Sequence, residues 1–233
     1  MSAQTSDKLQ LFAEHSLFRH LSRDEMTKLL IHARVERHPA DRRIFEKGSP
    51  GQSMMAVVSG HVKVCALSDE GKEIVFNIIN PGQVFGEIAL LDGRERTADA
   101  VAMTDCELLV VDRRHFLPFL RENPDIATRL LGVLCERLRR TTEQVEDVLF
   151  LDLPARLAKT LLQLAESHGR PTSGGRRIDL KLSQRELGTL IGISRESINK
   201  QLRDWEKLGY LQVRRGTIVL ADESALNKVS LRE

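Results

Sequence analysis

A chain of 233 residues with 41% hydrophobic and 29% charged residues is long enough for two modest domains, each with its own core. No apolar run approaches the roughly 20 residues that span a bilayer, and the N-terminus MSAQTSDKLQ lacks the basic-then-apolar layout of a signal peptide, so a cytoplasmic protein without membrane contact is expected. The net charge of +2 is unevenly divided: residues 1–152 carry 20 Lys+Arg against 24 Asp+Glu, net −4, and residues 153–233 carry 15 against 9, net +6. A basic C-terminal third beside an acidic remainder is the balance of a nucleic-acid-binding half joined to something else.

Cys65, Cys106 and Cys135 are widely separated and form no C-x-x-C pair, which argues against a disulfide framework, a zinc site or a cysteine-ligated iron–sulfur cluster. The seven histidines show neither H-x-x-x-H nor H-E-x-x-H spacing. Buried inert thiols, surface histidines and no metal are the expectation.

In chain order, residues 8–33 read as short helices, carried by Leu9, Leu11 and Phe12, then Leu17, Phe18 and Leu21, then Met26, Leu29 and Leu30. Ser22 with Glu25 three residues on has the form of a capping box before the last of these. From Arg43 the texture changes to short strands, among them His61–Val64, Glu73–Ile79 and the run Glu107–Val111. Glycines at Gly60, Gly71, Gly82 and Gly93 punctuate them at turn-like intervals, which indicates an all-β roll or barrel.

Inside this roll, FGEIALLDGRERTADA (residues 85–100) breaks the strand pattern with a short helical piece, Glu87 to Leu91, entered through Gly86. Free N–H groups at a helix start beside a glycine can approach an anion, Arg96 offers a guanidinium fork to a phosphate, and Glu87 can accept from a sugar hydroxyl. Alternatively, Glu87 and Arg96 pair with each other on a surface loop. The Gly86-Glu87 pair, the apolar helix with Ile88 and Ala89, Arg96-Thr97 and the flanking NPGQVFGE resemble the phosphate-binding cassette of cyclic-nucleotide-binding domains. The resemblance implies a backbone contact from Gly86, a carboxylate from Glu87 to the ribose 2′-hydroxyl, a phosphate contact from Arg96 and a hydroxyl contact from Thr97.

Pro124 marks a helix start. From Asp125 to about Phe150 the helical period is unbroken, with Ala127, Leu131, Leu134, Leu138, Val145 and Val148 at steps of three and four and Thr141 in the one polar seat. That is an a/d seam, the pattern of a helix pairing with a copy of itself, in which a polar residue ordinarily sets register. Thr141, Thr142 beside it and Arg137 one turn earlier instead allow hydrogen bonds to a polar ligand. By position, ERLRRTTEQV resembles the matching helix of cyclic-AMP-receptor members of the CRP/FNR superfamily, where a hydroxyl pair reaches the base, the second from the partner subunit. Thr142 stands for a serine there, and Asn77 occupies a strand position where those members have serine. The helix resemblance favours cyclic AMP; some cyclic-GMP binders of this class carry a threonine after the arginine, as at Thr97, so cyclic GMP is the alternative. Phe150-Leu151-Asp152-Leu153-Pro154 reads as a hinge, with an N-cap carboxylate and a proline in the first turn of the next helix.

The basic third opens with an amphipathic helix, ARLAKTLLQLAESH, ended by Gly169, and a loop or edge region, RPTSGGRRI. Ser183 and Glu186 cap a further helix, Gly192 supplies the turn, and Ser194 caps the next. Two short helices joined by a glycine-containing turn suggest a helix-turn-helix, with a plain helical hairpin as the alternative. The polar start Arg195, Glu196, Ser197, Asn199 and Lys200 favours base reading, since arginine can bind guanine and glutamate can accept from cytosine. Arg214 and Arg215 sit at the tip of a β-hairpin wing suited to phosphate. Trp205 and Tyr210 are expected to pack beneath that wing, with an aromatic platform for a base as the alternative. This stretch resembles the winged helix-turn-helix of the CRP/FNR superfamily, in which Ser194-Arg195-Glu196 and Lys200 match the base- and phosphate-reading pattern and Asn199 replaces a glycine; Ser183 is expected among the DNA-binding residues.

The expected architecture is α+β: an N-terminal β-roll (double-stranded β-helix) sensor over residues 1–123, a long dimerisation helix and hinge over 124–152, and a winged helix-turn-helix over 153–233. The resemblance implies a homodimeric, cyclic-nucleotide-dependent transcription regulator that binds double-stranded DNA and contacts RNA polymerase. A member of the same fold with a redox or haem input, or none, is the second reading. No nucleophile–base motif or P-loop supports an enzyme.

Overall fold

The computed structural model describes residues 22–180, 182–214 and 216–231. The helices expected from Leu9, Leu11, Phe12, Leu17, Phe18 and Leu21 lie outside the described residues, as does Arg215. The chain divides into two compact units between Arg139 and Arg140, within the long helix.

The first unit begins with helix α1 (Arg23–Leu30), capped by Ser22 and Glu25 in the reciprocal box that the sequence predicts. Eight strands follow: β1 (Arg34–His38), β2 (Arg43–Phe45), β3 (Ser53–Ser59), β4 (Val62–Leu67), β5 (Glu73–Ile79), β6 (Val84–Phe85), then β7 (Asp99–Ala102) and β8 (Cys106–Asp112) after helix α2 (Glu87–Asp92). They form two antiparallel four-stranded sheets, ordered β1-β8-β3-β6 and β2-β7-β4-β5. Strands β3 and β8 are apolar on both faces because both are covered. Met55, Val57, Leu108 and Val110 point into the roll, where they meet Val62, Ile79, Phe85 and Ala100. Met54, Ala56, Leu109 and Val111 point outward, where α1, helix α3 (Arg113–Glu122) and the start of helix α4 (Pro124–Phe150) cover them with Met26, Leu29, Phe116, Phe119, Ile126 and Leu130.

Two elements were not legible in the sequence. Strand β1, RVERH, carries no apolar alternation because it is a sheet edge with mostly exposed or half-buried side chains, and charged residues there oppose edge-to-edge pairing. Helix α3 contains Pro118, a residue that ordinarily argues against a helix. The expectation that all three thiols are buried holds for Cys65 and Cys106 but not for Cys135, which is exposed on α4, where it lies just off the apolar seam. Burial raises the Cys65 thiol to about 12 and also pushes Cys106 upward, so both stay protonated.

In the second unit, α5 (Leu153–His168) is followed by a hairpin of β9 (Gly169–Thr172) and β10 (Gly175–Ile178), helices α6 (Gln184–Ile191) and α7 (Arg195–Lys207), strands β11 (Leu211–Arg214) and β12 (Thr217–Leu220), and α8 (Glu223–Ser230). The breaker-rich RPTSGGRRI is therefore a hairpin. It pairs through Arg176 and Arg177 with β12, which extends the two-stranded wing to a four-stranded sheet, β11-β12-β10-β9. Leu157, Leu161, Leu187, Ile198, Leu202, Trp205, Leu220 and Leu226 are buried in this unit.

Candidate functional site

In the first unit, the chain leaves β6 and enters α2 through Gly86, whose φ of 78° lies in the left-handed region. A Cβ at this position would stand 2.6 Å from Nη1 of Arg96. Glycine is thus needed twice, for its backbone conformation and for the space above it. Arg96 Nη1 donates to the Gly86 carbonyl at 2.7 Å and Nη2 donates to Ser53 Oγ at 3.1 Å, while the guanidinium carbon lies 4.2 Å from the centre of the Phe45 ring. Arg96 is 5% exposed, and its Nε has no hydrogen-bond partner. Burial pushes Arg96 below its ordinary range, and the nearby Glu87 charge works against that shift.

Glu87 is fully buried. Its Oε1 accepts from Nη1 of Arg137, a residue of α4, and the same guanidinium donates through Nη2 to the Val84 carbonyl. Oε2 of Glu87 has no partner. Glu87 and Arg96 are therefore both buried and are not each other's hydrogen-bonding partner on a surface loop. Each is held by other groups and each keeps one polar atom unpaired, at a cost of about 1–3 kcal/mol per group.

The other expected residues are placed differently. Ile88 is exposed, whereas Ala89 is buried against Gly51, where an added Cβ would collide with it at 2.0 Å. Thr97 is exposed beside Arg96. Asn77 lies on β5 opposite Val64, hence on the inward face that includes Val62 and Ile79, and its buried Oδ1 has no partner. Thr141 and Thr142 are exposed on the part of α4 that belongs to the second unit, Thr141 four residues beyond Arg137. Ser53, Phe45 and the Val84 carbonyl were not foreseen. They come from strands that approach Arg96 and Arg137 only in the folded roll, and nothing in their local sequence marks them.

Along α4, Leu131, Leu138, Val145 and Val148 are 60%, 69%, 54% and 57% exposed in the single chain. An apolar seam of this extent left in water is unusual for a solitary helix.

In the second unit, Ser183 accepts from the Glu186 amide at 3.2 Å and its own N–H donates to the Glu186 carboxylate at 2.7 Å. Helix α6 ends at Gly192, with φ of 71°. Gly188, one turn earlier, lies so close to the Ile193 carbonyl that a Cβ would approach it to 2.5 Å, which makes Gly188 the close-packing residue of the turn. Helix α7 starts at the Ser194 cap, buries Ile198, Leu202 and Trp205 and leaves Arg195, Glu196 and Lys200 exposed, with Ser197 and Asn199 half-buried. Arg203, also exposed, continues the outer face one turn past Lys200 and was not singled out in the sequence. Arg214 is exposed at the end of β11. Trp205 is packed beneath the wing rather than presented as an aromatic platform, and its carbonyl accepts from the Tyr210 amide at 2.9 Å.

Among the described residues no cluster of three His, Cys, Asp or Glu side chains is placed to hold a metal ion, and no helix is long and apolar enough to cross a membrane.

These two sites fall within two recognised families: the cyclic nucleotide-binding domain matches residues 35–123, and the Crp-like helix-turn-helix domain matches residues 155–229. The CRP-like cAMP-activated global transcriptional regulator of Mycobacterium tuberculosis is 34% identical over 188 residues, covering 81% of this chain and 84% of that protein. The cAMP-activated global transcriptional regulator CRP of Salmonella typhimurium is 31% identical over 192 residues, 82% of this chain and 91% of the relative. The c-di-GMP-responsive global regulator CLP of Xanthomonas campestris superposes with a TM-score of 0.76 at 27% identity, covering 85% of this chain and 99% of that structure. The chain belongs to the CRP-like family of cyclic-nucleotide-responsive, DNA-binding transcription regulators, and not to a family of enzymes.

Proposed function

We propose that this regulator works as a homodimer, that cyclic AMP is its preferred effector over cyclic GMP, and that the nucleotide acts by stabilising the arrangement competent for a pseudo-palindromic operator. The observation that carries the proposal is the pair of buried charges with unpaired atoms, Glu87 Oε2 and Arg96 Nε, beside the Gly86 turn. A buried guanidinium without an anion is costly, and a cyclic phosphate supplies that anion. A ribose 2′-hydroxyl can donate to Glu87 Oε2, while Arg137 holds the other carboxylate oxygen in place. Asn77 offers an unpaired carbonyl to the base, and the exocyclic amine of adenine is a suitable donor. Thr97 supplies a hydroxyl beside the phosphate, Ile88 and Ala89 supply the wall of the short helix, and Thr141 and Thr142 are the α4 hydroxyls that the family resemblance assigns to the base.

The exposed seam of α4 supports self-association, with Thr141 as its polar seat. Arg195, Glu196, Ser197, Asn199 and Lys200 read bases and phosphates in the major groove, and Ser183, Arg203, Arg214 and Arg215 contact the backbone of double-stranded DNA. Residues 1–123 then serve as sensor, 124–152 as dimer helix and hinge, and 153–233 as DNA-binding domain. RNA polymerase is the partner such a regulator addresses. For coupling, the nucleotide must bind the DNA-competent arrangement more tightly than the other.

Calorimetric titration of the full chain with cyclic AMP, cyclic GMP and c-di-GMP, beside gel-shift on a duplex that the protein itself selects from a random pool, tests this reading. Saturable cyclic AMP binding and tighter retention of a site with half-sites roughly 34 Å apart are expected. Stronger binding of either competitor reverses the effector assignment, and retention that no nucleotide alters removes the coupling.

A further inference from the structure

The last turns of α4 carry Glu143, Glu146 and Asp147, and its final turn contains no basic residue. Negative charge at the C-terminal end of a helix opposes the helix dipole, and the final turn of the long helix holds no cation of its own to offset it. The following helix provides one. Lys159 Nζ of α5 lies 2.7 Å from Asp147 Oδ1, with the two side chains 31% and 22% exposed. The Asp147 carbonyl meanwhile accepts from the Leu151 amide at 3.1 Å and closes the last turn before the hinge. Asp152 then caps α5 by accepting from the Ala155 amide at 2.9 Å.

One turn before Lys159, on the same side of α5, stands Arg156. Its Nη1 donates to the carbonyl of Ile191, the last residue of α6, at 3.3 Å, and its Nε is buried without a hydrogen-bond partner. Helix α5 therefore carries two cations three residues apart, each applied to the C-terminal end of a neighbouring helix. One neighbour is the end of the long helix and the other is the first helix of the helix-turn-helix.

We propose that Lys159 and Asp147 form a positioning pair that, together with the Arg156 contact to α6, fixes the DNA-reading domain against the end of the long helix and so sets how strongly nucleotide binding changes DNA affinity. Neither Lys159 nor Asp147 touches nucleotide or base in this scheme. Without the pair, the hinge at Leu151 and Asp152 keeps its backbone bond and the Asp152 cap but loses its ion pair to the long helix. The domain then samples more orientations, and fewer of them match the half-site spacing. The consequence for coupling rests on the nucleotide-dependent reading above, whereas the consequence for hinge order does not.

The experiment uses the full chain as wild type and as Lys159→Gln, Lys159→Arg, Asp147→Asn and the charge swap Asp147→Lys with Lys159→Asp. Hydrogen exchange of the Leu151, Ala155 and Arg156 amides reads the hinge directly. Gel-shift on the duplex selected by the wild type, with and without cyclic AMP, reads coupling as the ratio of the two dissociation constants. The two neutralising variants should exchange these amides at least fivefold faster and change the ratio at least fivefold, with non-specific DNA binding and thermal melting little altered. Lys159→Arg and the swap should restore both readouts. Unchanged exchange in the neutralising variants, or a swap that restores neither readout, overturns the positioning pair. If the wild type shows no response to cyclic AMP, the exchange data still decide the pair, and only the effector reading fails.

Discussion

Gly86→Ala introduces a single methyl group at the tightest point of the proposed phosphate site. Alanine at a φ of 78° costs about 1–2 kcal/mol relative to glycine. Its Cβ would also meet Arg96 Nη1 at 2.6 Å, so the guanidinium must move and give up its 2.7 Å bond to the Gly86 carbonyl. A hydrogen bond from a charged donor contributes about 1.5–3 kcal/mol. The two effects together come to about 2.5–5 kcal/mol in the sensor. At about 3–5 °C per kcal/mol for a domain of this size, its melting temperature should fall by at least about 7 °C. The displaced Arg96 would no longer face the phosphate, so cyclic AMP affinity should drop by more than tenfold. Scanning calorimetry follows the first quantity and isothermal titration the second. An alanine variant that melts within 2 °C of wild type, as about half a kcal/mol or less would allow, and binds nucleotide equally well would refute this account of the glycine.

Arg137→Gln should destabilise the sensor by about 3 kcal/mol, because it leaves the buried Glu87 carboxylate without its cation. Adding Glu87→Gln should recover most of that loss in urea denaturation, and a double variant no more stable than the single would contradict the pairing. The hydroxyl and amide of Ser22 both bond the Glu25 carboxylate and hold it below the ordinary glutamate range, so the cap contributes above that range and is lost as pH falls through the lowered folded value. Ser22→Ala should raise the Glu25 titration followed by NMR, and an unmoved titration would assign the shift elsewhere. Leu131→Arg with Leu138→Arg should convert the proposed dimer to a monomer in sedimentation, since each leucine withdrawn from a seam forfeits about 1.5–3 kcal/mol per subunit. An unchanged sedimentation coefficient would place the interface elsewhere. Thr141→Val should keep the dimer and weaken or redirect the nucleotide response; an unaltered titration would leave Thr141 as a register mark.

What sequence alone determined is what short-range physics encodes. The capping boxes at Ser22–Glu25 and Ser183–Glu186, the N-caps at Asp152 and Ser194, the turn at Gly192, the positive-φ glycines between strands and the apolar period of the long helix all involve residues within a few positions of one another. Each was legible because its partners are neighbours in the chain, and the order of the two domains followed from them. Glu87 and Arg96 could be named as site residues, but a short motif could not say whether they were buried or what held them.

Those answers depend on contacts between distant segments. Arg96 takes Ser53, 43 residues away, and Glu87 takes Arg137, 50 residues away, so burial of each charge is fixed only when strands β3 and β6 and helix α4 converge. The same long-range pairing makes an edge strand of the charged RVERH segment, joins the Arg176–Arg177 hairpin to the wing, and leaves Cys135 on an exposed helix face while Cys65 and Cys106 are enclosed. Local periodicity reports which face of an element is apolar; only tertiary packing decides which charges can be buried there, because a buried charge is tolerated only where a partner arrives to meet it.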